Sequence, residues 1–138
     1  MTFYDKFKPA ELTIKDFNHW IVLLRQKQIT LGDAVIVLKR EVPSIGDATA
    51  EELAEFPTVI KWYEDKCKSL FAAEKFNYFA AMMKDNFVHF HSLPRYSTDI
   101  VRYGINWKDE FWPKPISLID VSTEETVLQQ LLKEMQDK

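Results

Sequence analysis

The chain has little of several things that would narrow its chemistry early. It holds one cysteine, Cys67, so no disulfide can form within it, and a reducing compartment suits it. Positive charge is not in excess: the formal net charge is −3, which offers no electrostatic footprint for polymeric nucleic acid. Any nucleic-acid-like ligand is therefore expected to be a small nucleotide, held locally. No apolar run approaches the length of a membrane span. The start, Met1-Thr2-Phe3-Tyr4-Asp5-Lys6, lacks the apolar stretch of a secretory signal. Internal repeats, low-complexity tracts and linkers are also missing. Together these absences lead us to expect a cytoplasmic protein without a membrane partner. What is there reads as an ordinary globule, 46% apolar and 28% charged, and 138 residues suffice for one domain with a real core.

Histidine is scarce too, yet two of the three histidines stand one residue apart in Phe87-Val88-His89-Phe90-His91-Ser92-Leu93-Pro94-Arg95-Tyr96. The run alternates like a strand, and in a strand residues i and i+2 share a face. His89 and His91 then stand side by side, continued by Phe87 and Leu93, while Val88, Phe90 and Ser92 line the other face. Imidazole can serve as nucleophile, general acid or base, and metal ligand near neutral pH. A half-exposed sheet face also tolerates such a pair with no function at all. Alternate strand histidines can share one metal ion, but that needs a third ligand. His19 is the only other histidine, Cys67 sits alone in a helical pattern, and nothing in the spacing recruits Asp33. No metal or other cofactor is expected.

Around this run the elements follow from pattern. His19 to Leu24 and Ala34 to Leu38 are apolar runs rich in β-branched residues, joined by polar residues ending in Gly32-Asp33; they predict a hairpin. Pro43-Ser44-Ile45-Gly46-Asp47 breaks the chain. Thr49-Ala50-Glu51-Glu52 reads as a capping box. Leu53, Phe56, Ile60, Tyr63, Cys67 and Leu70 follow at helical spacing. Pro57 argues for a kink or a later start. Cys67 on the apolar stripe reads as core. Residues 75–83 and 87–93 are two further strand candidates, with Lys84-Asp85-Asn86 as a tight turn between them. Beyond Tyr96, the stretch through Trp107, Trp112, Pro113 and Pro115 reads as an ordered aromatic loop. A last helix is predicted from near Ser122, capped by Ser122 with Glu125, with Val127, Leu128, Leu131, Leu132 and Met135 on its apolar face. That face can pack on its own domain or on a second subunit. The fold class is α+β: an antiparallel sheet, one long helix packed on it, and a C-terminal helix.

Val88-His89-Phe90-His91-Ser92-Leu93-Pro94-Arg95-Tyr96 resembles the signature of the histidine triad (HIT) superfamily, in which histidines alternate with apolar residues and the run often closes with Pro-Arg. The segment His19-Trp20-Ile21-Val22-Leu23-Leu24-Arg25-Gln26-Lys27-Gln28, with Thr30-Leu31-Gly32-Asp33 and Ala34-Val35-Ile36-Val37, is similar to that family's first hairpin. Lys75-Phe76-Asn77-Tyr78 is similar to the strand before the signature. The resemblance covers about residues 17–118, with the C-terminal helix at about 122–137. It looks closest to a divergent subgroup of diadenosine polyphosphate hydrolase-like members. It implies a single domain over 1–138 with a HIT-like sheet, commonly assembled as a homodimer.

The resemblance also implies a chemistry. The central histidine, matched by His89, attacks the α-phosphorus of a nucleotide, giving a covalent nucleotidyl-histidine that water or another acceptor resolves. His91 supports by protonating or hydrogen-bonding the leaving group. Arg25, with Gln28 and Lys27, stands at the end of the first strand, near where the family places its nucleotide. Arg25 reads equally as a phosphate-binding guanidinium or a surface arginine, and Asn77 as a ligand contact or a bridge between strands. Asp33, after Gly32, occupies a position where the family often has histidine. Arg95 reads as a structural tie to a carboxylate, and His19 as a surface or core histidine. The departures are definite: Phe87 replaces the first histidine of the triad, and the Gly/Gln-rich loop before the signature is missing. Two functions follow, a nucleotide hydrolase or nucleotidyl transferase, or a catalytically weakened nucleotide-binding module. A metal-dependent use of the histidine pair is a third.

Overall fold

A computed structural model describes residues 7–83 and 85–137. A short helix α1 (Pro9–Leu12) leads into β1 (Thr13–Asp16), β2 (Trp20–Leu24) and β3 (Ala34–Leu38). A 3-10 turn (Ile45–Asp47) precedes the long α2 (Ala50–Phe71). Then come β4 (Lys75–Phe79), β5 (His89–Arg95), β6 (Ile100–Arg102), β7 (Ile105–Trp107) and α3 (Glu125–Gln136). Five strands form one sheet in the order β1-β2-β3-β5-β4, every neighbouring pair antiparallel, and β6 and β7 form a separate hairpin. This is the expected α+β architecture.

The centre of the sheet is buried on both faces, which is why β2 and β3 read as nearly unbroken apolar runs. Trp20, Val22 and Leu24 of β2 and Ala34, Ile36 and Leu38 of β3 join Val59, Tyr63, Cys67 and Phe71 of α2 in the main core. Leu128, Leu131, Leu132 and Met135 of α3 enter the same core. The predicted apolar face of the last helix therefore packs on its own domain, against β1 and α2. The opposite parity makes a smaller second core of Leu23, Val35, Val37 and Phe87, with Phe7 and Ile21 against it.

The helix α2 starts where the capping box places it. Thr49 accepts from the Glu52 amide at 3.1 Å, and the Glu52 carboxylate accepts from the Thr49 amide at 2.7 Å. Pro57 lies inside the helix without ending it. Its missing donor would have served the carbonyl of Leu53, and both residues are exposed, so water can take the donor's place. Leu53, expected on the buried stripe, is 48% exposed; the stripe runs instead through Glu52, Val59, Tyr63, Cys67 and Phe71.

Four further boundaries differ from expectation. β4 ends at Phe79 and β5 begins at His89. A connection of several residues thus replaces the tight turn, whose Lys84 lies outside the described residues. The last helix begins at Glu125 with no side-chain cap, so the Ser122–Glu125 capping box does not form. The neighbouring Thr123 hydroxyl accepts from the Gln28 amide instead, at 3.0 Å. The loop after Tyr96 contains the β6–β7 hairpin, whose turn residues Tyr103 and Gly104 both have positive φ, 57° and 72°. Strand β1 was not anticipated. Too short to display a pattern, it is held by pairing along β2 and by Ile14 in the core.

Candidate functional site

Register puts the predicted residues on one surface. His91 pairs with Val35 and Phe79, and Val35 with Leu23; His89 pairs with Val37, and Val37 with Ile21. Side chains of paired residues share a face, so both histidines stand over the second core, away from α2. Two residues further along, the same face carries Leu93 and its partner Asn77 on β5 and β4. Alongside them lie Asp33 and Arg25, whose amide donates to the Asp33 carbonyl at 3.1 Å, extending the β2–β3 ladder past the strand ends. Phe87 continues the histidine side of the run and is buried in the second core. Gln28 lies between Arg25 and Asp33 in the β2–β3 connection.

His89 is buried, 6% exposed, and its Nδ1 lies 2.8 Å from the Phe87 carbonyl oxygen. A carbonyl can only accept, so Nδ1 carries a hydrogen, and in the neutral ring Nε2 then holds the lone pair. That is the tautomer a nucleophilic imidazole needs. The His91 ring stands nearly perpendicular to it, 83° between planes and 5.3 Å between centroids. The Phe7 ring lies 6.4 Å beyond His91.

The β2–β3 turn is built from polar groups turned inward. The Gln28 side-chain oxygen accepts from the amides of Gly32 (2.9 Å) and Asp33 (3.0 Å). Its nitrogen donates to the carbonyls of Arg25 (2.6 Å) and Asp33 (2.7 Å). Asp33 is wholly buried; its Oδ2 takes Arg25 Nη1 and the Ile29 amide, each at 3.2 Å. Burial pushes the Asp33 carboxyl up to about 7, against the opposing pull of Arg25 and the Ile29 amide. Gly32 adopts φ 96°, and a Cβ there would stand 3.1 Å from Pro94 and 3.2 Å from Cys67. The Tyr63 hydroxyl lies 2.7 Å from the Gly32 carbonyl and 2.9 Å from that of Ser92, so α2 fixes both the turn and the histidine strand.

Asn77 and Arg95 organise the other side. Arg95 is buried and engages Asp109 through Nε (2.6 Å) and Nη2 (3.1 Å), Lys114's carbonyl through Nη2 (2.7 Å), and Asn77 Oδ1 through Nη1 (2.6 Å). The expected structural tie of Arg95 to a carboxylate is thus present, with Asp109 as the partner. Asn77 Oδ1 also accepts from the Ile116 amide at 3.0 Å, so this side chain links β4 to the segment 109–123. That segment is a strap held at the Arg95 end by these bonds. At the β2–β3 end, Thr123 holds Gln28 and Asp120 pairs with Lys27. Between the strap and the end of β2 opens a cleft of about 420 Å³, lined by Phe7, Arg25, Gln26, Lys27, Val121, Ser122 and Thr123. Sequence reasoning reached Arg25 and Lys27 but not Phe7, Ser122 or Thr123, which come from distant segments and carry no local signal. No group of three or more metal-ligating side chains occurs among the described residues.

No protein-family model matches the chain, and no curated protein matches it in sequence. Solved structures do match in shape. A histidine triad protein from Marinobacter aquaeolei superposes with TM-score 0.74 at 16% identity, over 98% of this chain and 93% of that one. A hypothetical histidine triad nucleotide-binding protein from Sulfolobus tokodaii gives 0.69 at 18%, over 91% and 80%. The C. elegans NitFhit protein gives 0.65 at 20%; 92% of this chain is covered, but it spans only 27% of that one. The chain has the histidine triad fold, and in it the run His89–Arg95 forms β5. No helix among the described residues is long and apolar enough to cross a membrane.

Proposed function

We propose that this chain belongs to the histidine triad superfamily, near its diadenosine polyphosphate hydrolase-like members, and acts on nucleotides at the α-phosphate. A fold alone does not carry an activity. The observation that carries this one is the bond from His89 Nδ1 to the Phe87 carbonyl, which leaves the lone pair on Nε2. Nε2 attacks the α-phosphorus of a dinucleoside polyphosphate or nucleoside phosphoramidate. A phosphorus–nitrogen bond to His89 forms as the bond to the leaving group breaks, and His91 beside it donates a hydrogen bond or proton to the departing atom. Water, or another acceptor, then displaces the imidazole and releases the nucleotide. Arg25 is the predicted nucleotide contact with donors on a cleft. Asp33, Gln28 and Asn77 support the ligand site through the turn and strap they hold. The 138 residues act as one domain and as a homodimer on the strength of the resemblance, and the single cysteine supports a cytoplasmic setting.

Phe87 favours a second reading, a nucleotide-binding module with weakened catalysis. It occupies the first triad position with a ring that can neither give nor take a proton. Intact-mass measurement after incubation with a panel of nucleotide substrates separates the two. The enzyme reading expects an adduct of one nucleoside monophosphate, lost in His89→Ala. An adduct that persists in the variant removes His89 from the mechanism, and nucleotide binding with no adduct in either protein selects the binding module.

A further inference from the structure

The β2–β3 connection contains two buried oxygens with no hydrogen-bond partner among the described residues, Asp33 Oδ1 and Thr30 Oγ1. Asp33 is wholly buried, and its bonds all fall on the other oxygen: Oδ2 accepts from Arg25 Nη1 and from the Ile29 amide. An oxygen that accepts twice is not the one that carries a proton, so in the neutral carboxyl the hydrogen sits on Oδ1. Burial raises this carboxyl to about 7, so its neutral and ionised forms exchange near neutral pH.

The two forms ask different things of the turn. Neutral, the carboxyl leaves Oδ1 short of one hydrogen bond. Ionised, Oδ1 carries buried charge with no donor, a much larger cost. Gln28 cannot supply one, because its oxygen already accepts two amides and its nitrogen already donates to two carbonyls. Ile29 offers a single amide, and Oδ2 has it. Arg25 has donors to spare. Its Nη1 serves Asp33 and the Lys27 carbonyl (2.9 Å), while Nε and Nη2 make no hydrogen bond among the described residues. Turning the guanidinium so that two nitrogens meet two oxygens gives the bidentate pair it favours. That turn draws Nη1 off the Lys27 carbonyl, the bond by which the Arg25 side chain holds the rim of the cleft.

We propose that the β2–β3 turn is a protonation-driven latch: with Asp33 neutral, Arg25 stays on the Lys27 carbonyl at the rim of the cleft, and with Asp33 ionised its guanidinium swings inward to hold both carboxylate oxygens. The cleft then loses positive charge and donors as pH rises. The latch stands apart from the nucleotide reading, because each of its groups belongs to the turn. Few other charges face Asp33. Lys27 is paired with Asp120 of the strap, and Arg95 farther along β5 is matched by Asp109. Behind the turn, the Tyr63 and Tyr96 hydroxyls hold the Gly32 and Leu31 carbonyls, and the Cys67 thiol lies against Gly32. Burial pushes all three of these groups upward, so none changes charge near neutrality. His91 and His89 share the face along β5. Imidazole is the side chain that ordinarily exchanges protons in this range, so the test separates the histidines from Asp33.

Side-chain NMR of the whole chain from pH 5 to 9 reads both ends of the latch. The Asp33 carboxyl carbon should shift with a midpoint near neutrality, and the Arg25 Nε resonance should shift with that same midpoint. In Asp33→Asn the Arg25 resonance should hold still. A chain carrying both His89→Gln and His91→Gln has no imidazole on that face, and in it the shared midpoint of Asp33 and Arg25 should survive. This second variant decides the matter where Asp33→Asn does not fold. An Asp33 carbon that titrates while Arg25 stays still overturns the latch. So does an Arg25 shift that persists in Asp33→Asn or disappears with the histidines. An Asp33 carbon that does not titrate across this range overturns it as well.

Discussion

Asp33 is a fully buried carboxyl, an environment its residue type seldom occupies. A carboxyl in water titrates near 3.9, and burial raises this one to about 7. Between those values the folded chain holds a proton that the unfolded chain has released. Stability therefore falls as pH rises through that window, by an amount on the order of 4 kcal/mol at most. Asp33→Asn removes the titration while keeping an acceptor for Arg25 and the Ile29 amide. Urea midpoints measured from pH 4.5 to 7.5 should decline in the natural protein and stay flatter in the variant; parallel profiles would show that Asp33 does not titrate there. Glu52 behaves oppositely. The bidentate Arg40 guanidinium, with both contacts at 2.9 Å, holds its carboxyl down to about 2. The stability it contributes is present above the ordinary carboxylate range and lost as pH falls toward 2, below the range of that experiment.

Among the elements, α2 depends most visibly on its first turn. Thr49 satisfies the Glu52 amide, Glu52 returns the bond, and the Glu52 carbonyl accepts from the Trp20 indole at 2.8 Å. Thr49→Ala should cost about 1 kcal/mol, seen as a lower denaturation midpoint with unchanged ligand binding, because the cap lies on the far side of the sheet from the histidines. Elements whose signals are local were readable from sequence: the capping box, the hairpin closing at Gly32-Asp33, and the alternation of the histidine strand. The start of α3 was misjudged because Thr123 bonds across the molecule to Gln28 and not along its own helix. Leu53 fell outside the stripe because the helix presents Glu52 and Val59 to the sheet instead. The β6–β7 turn did carry a signal, a residue pair ending in glycine, but three-residue strands display no alternation to support it.

For the whole molecule, the decisive partners were those the sequence could not pair. Arg95 announced a structural tie through its place after Pro94, yet nothing local singled out Asp109 as the carboxylate, nor Asn77 as its neighbour. Together they hold the strap across the end of the sheet and set one wall of the cleft. Both charges are almost fully buried, 4% and 0% exposed at the side chain. Arg95→Met would leave Asp109 buried without a counter-charge, and we expect a loss of about 3–5 kcal/mol in denaturant unfolding, with weaker binding at the cleft. A loss below about 1 kcal/mol, the scale of a surface pair, would mean that the strap is anchored elsewhere.

Strand β3 is paired along both edges, to β2 and β5, and covered on both faces. Its backbone amides can reach solvent only when the whole sheet opens. They should be the slowest hydrogens in the chain to exchange with deuterium, and their exchange rate is a clock for global unfolding. The histidine strand is tied directly to that clock through its ladder with β3, so the paired imidazoles sit on the part of the molecule that is last to come apart.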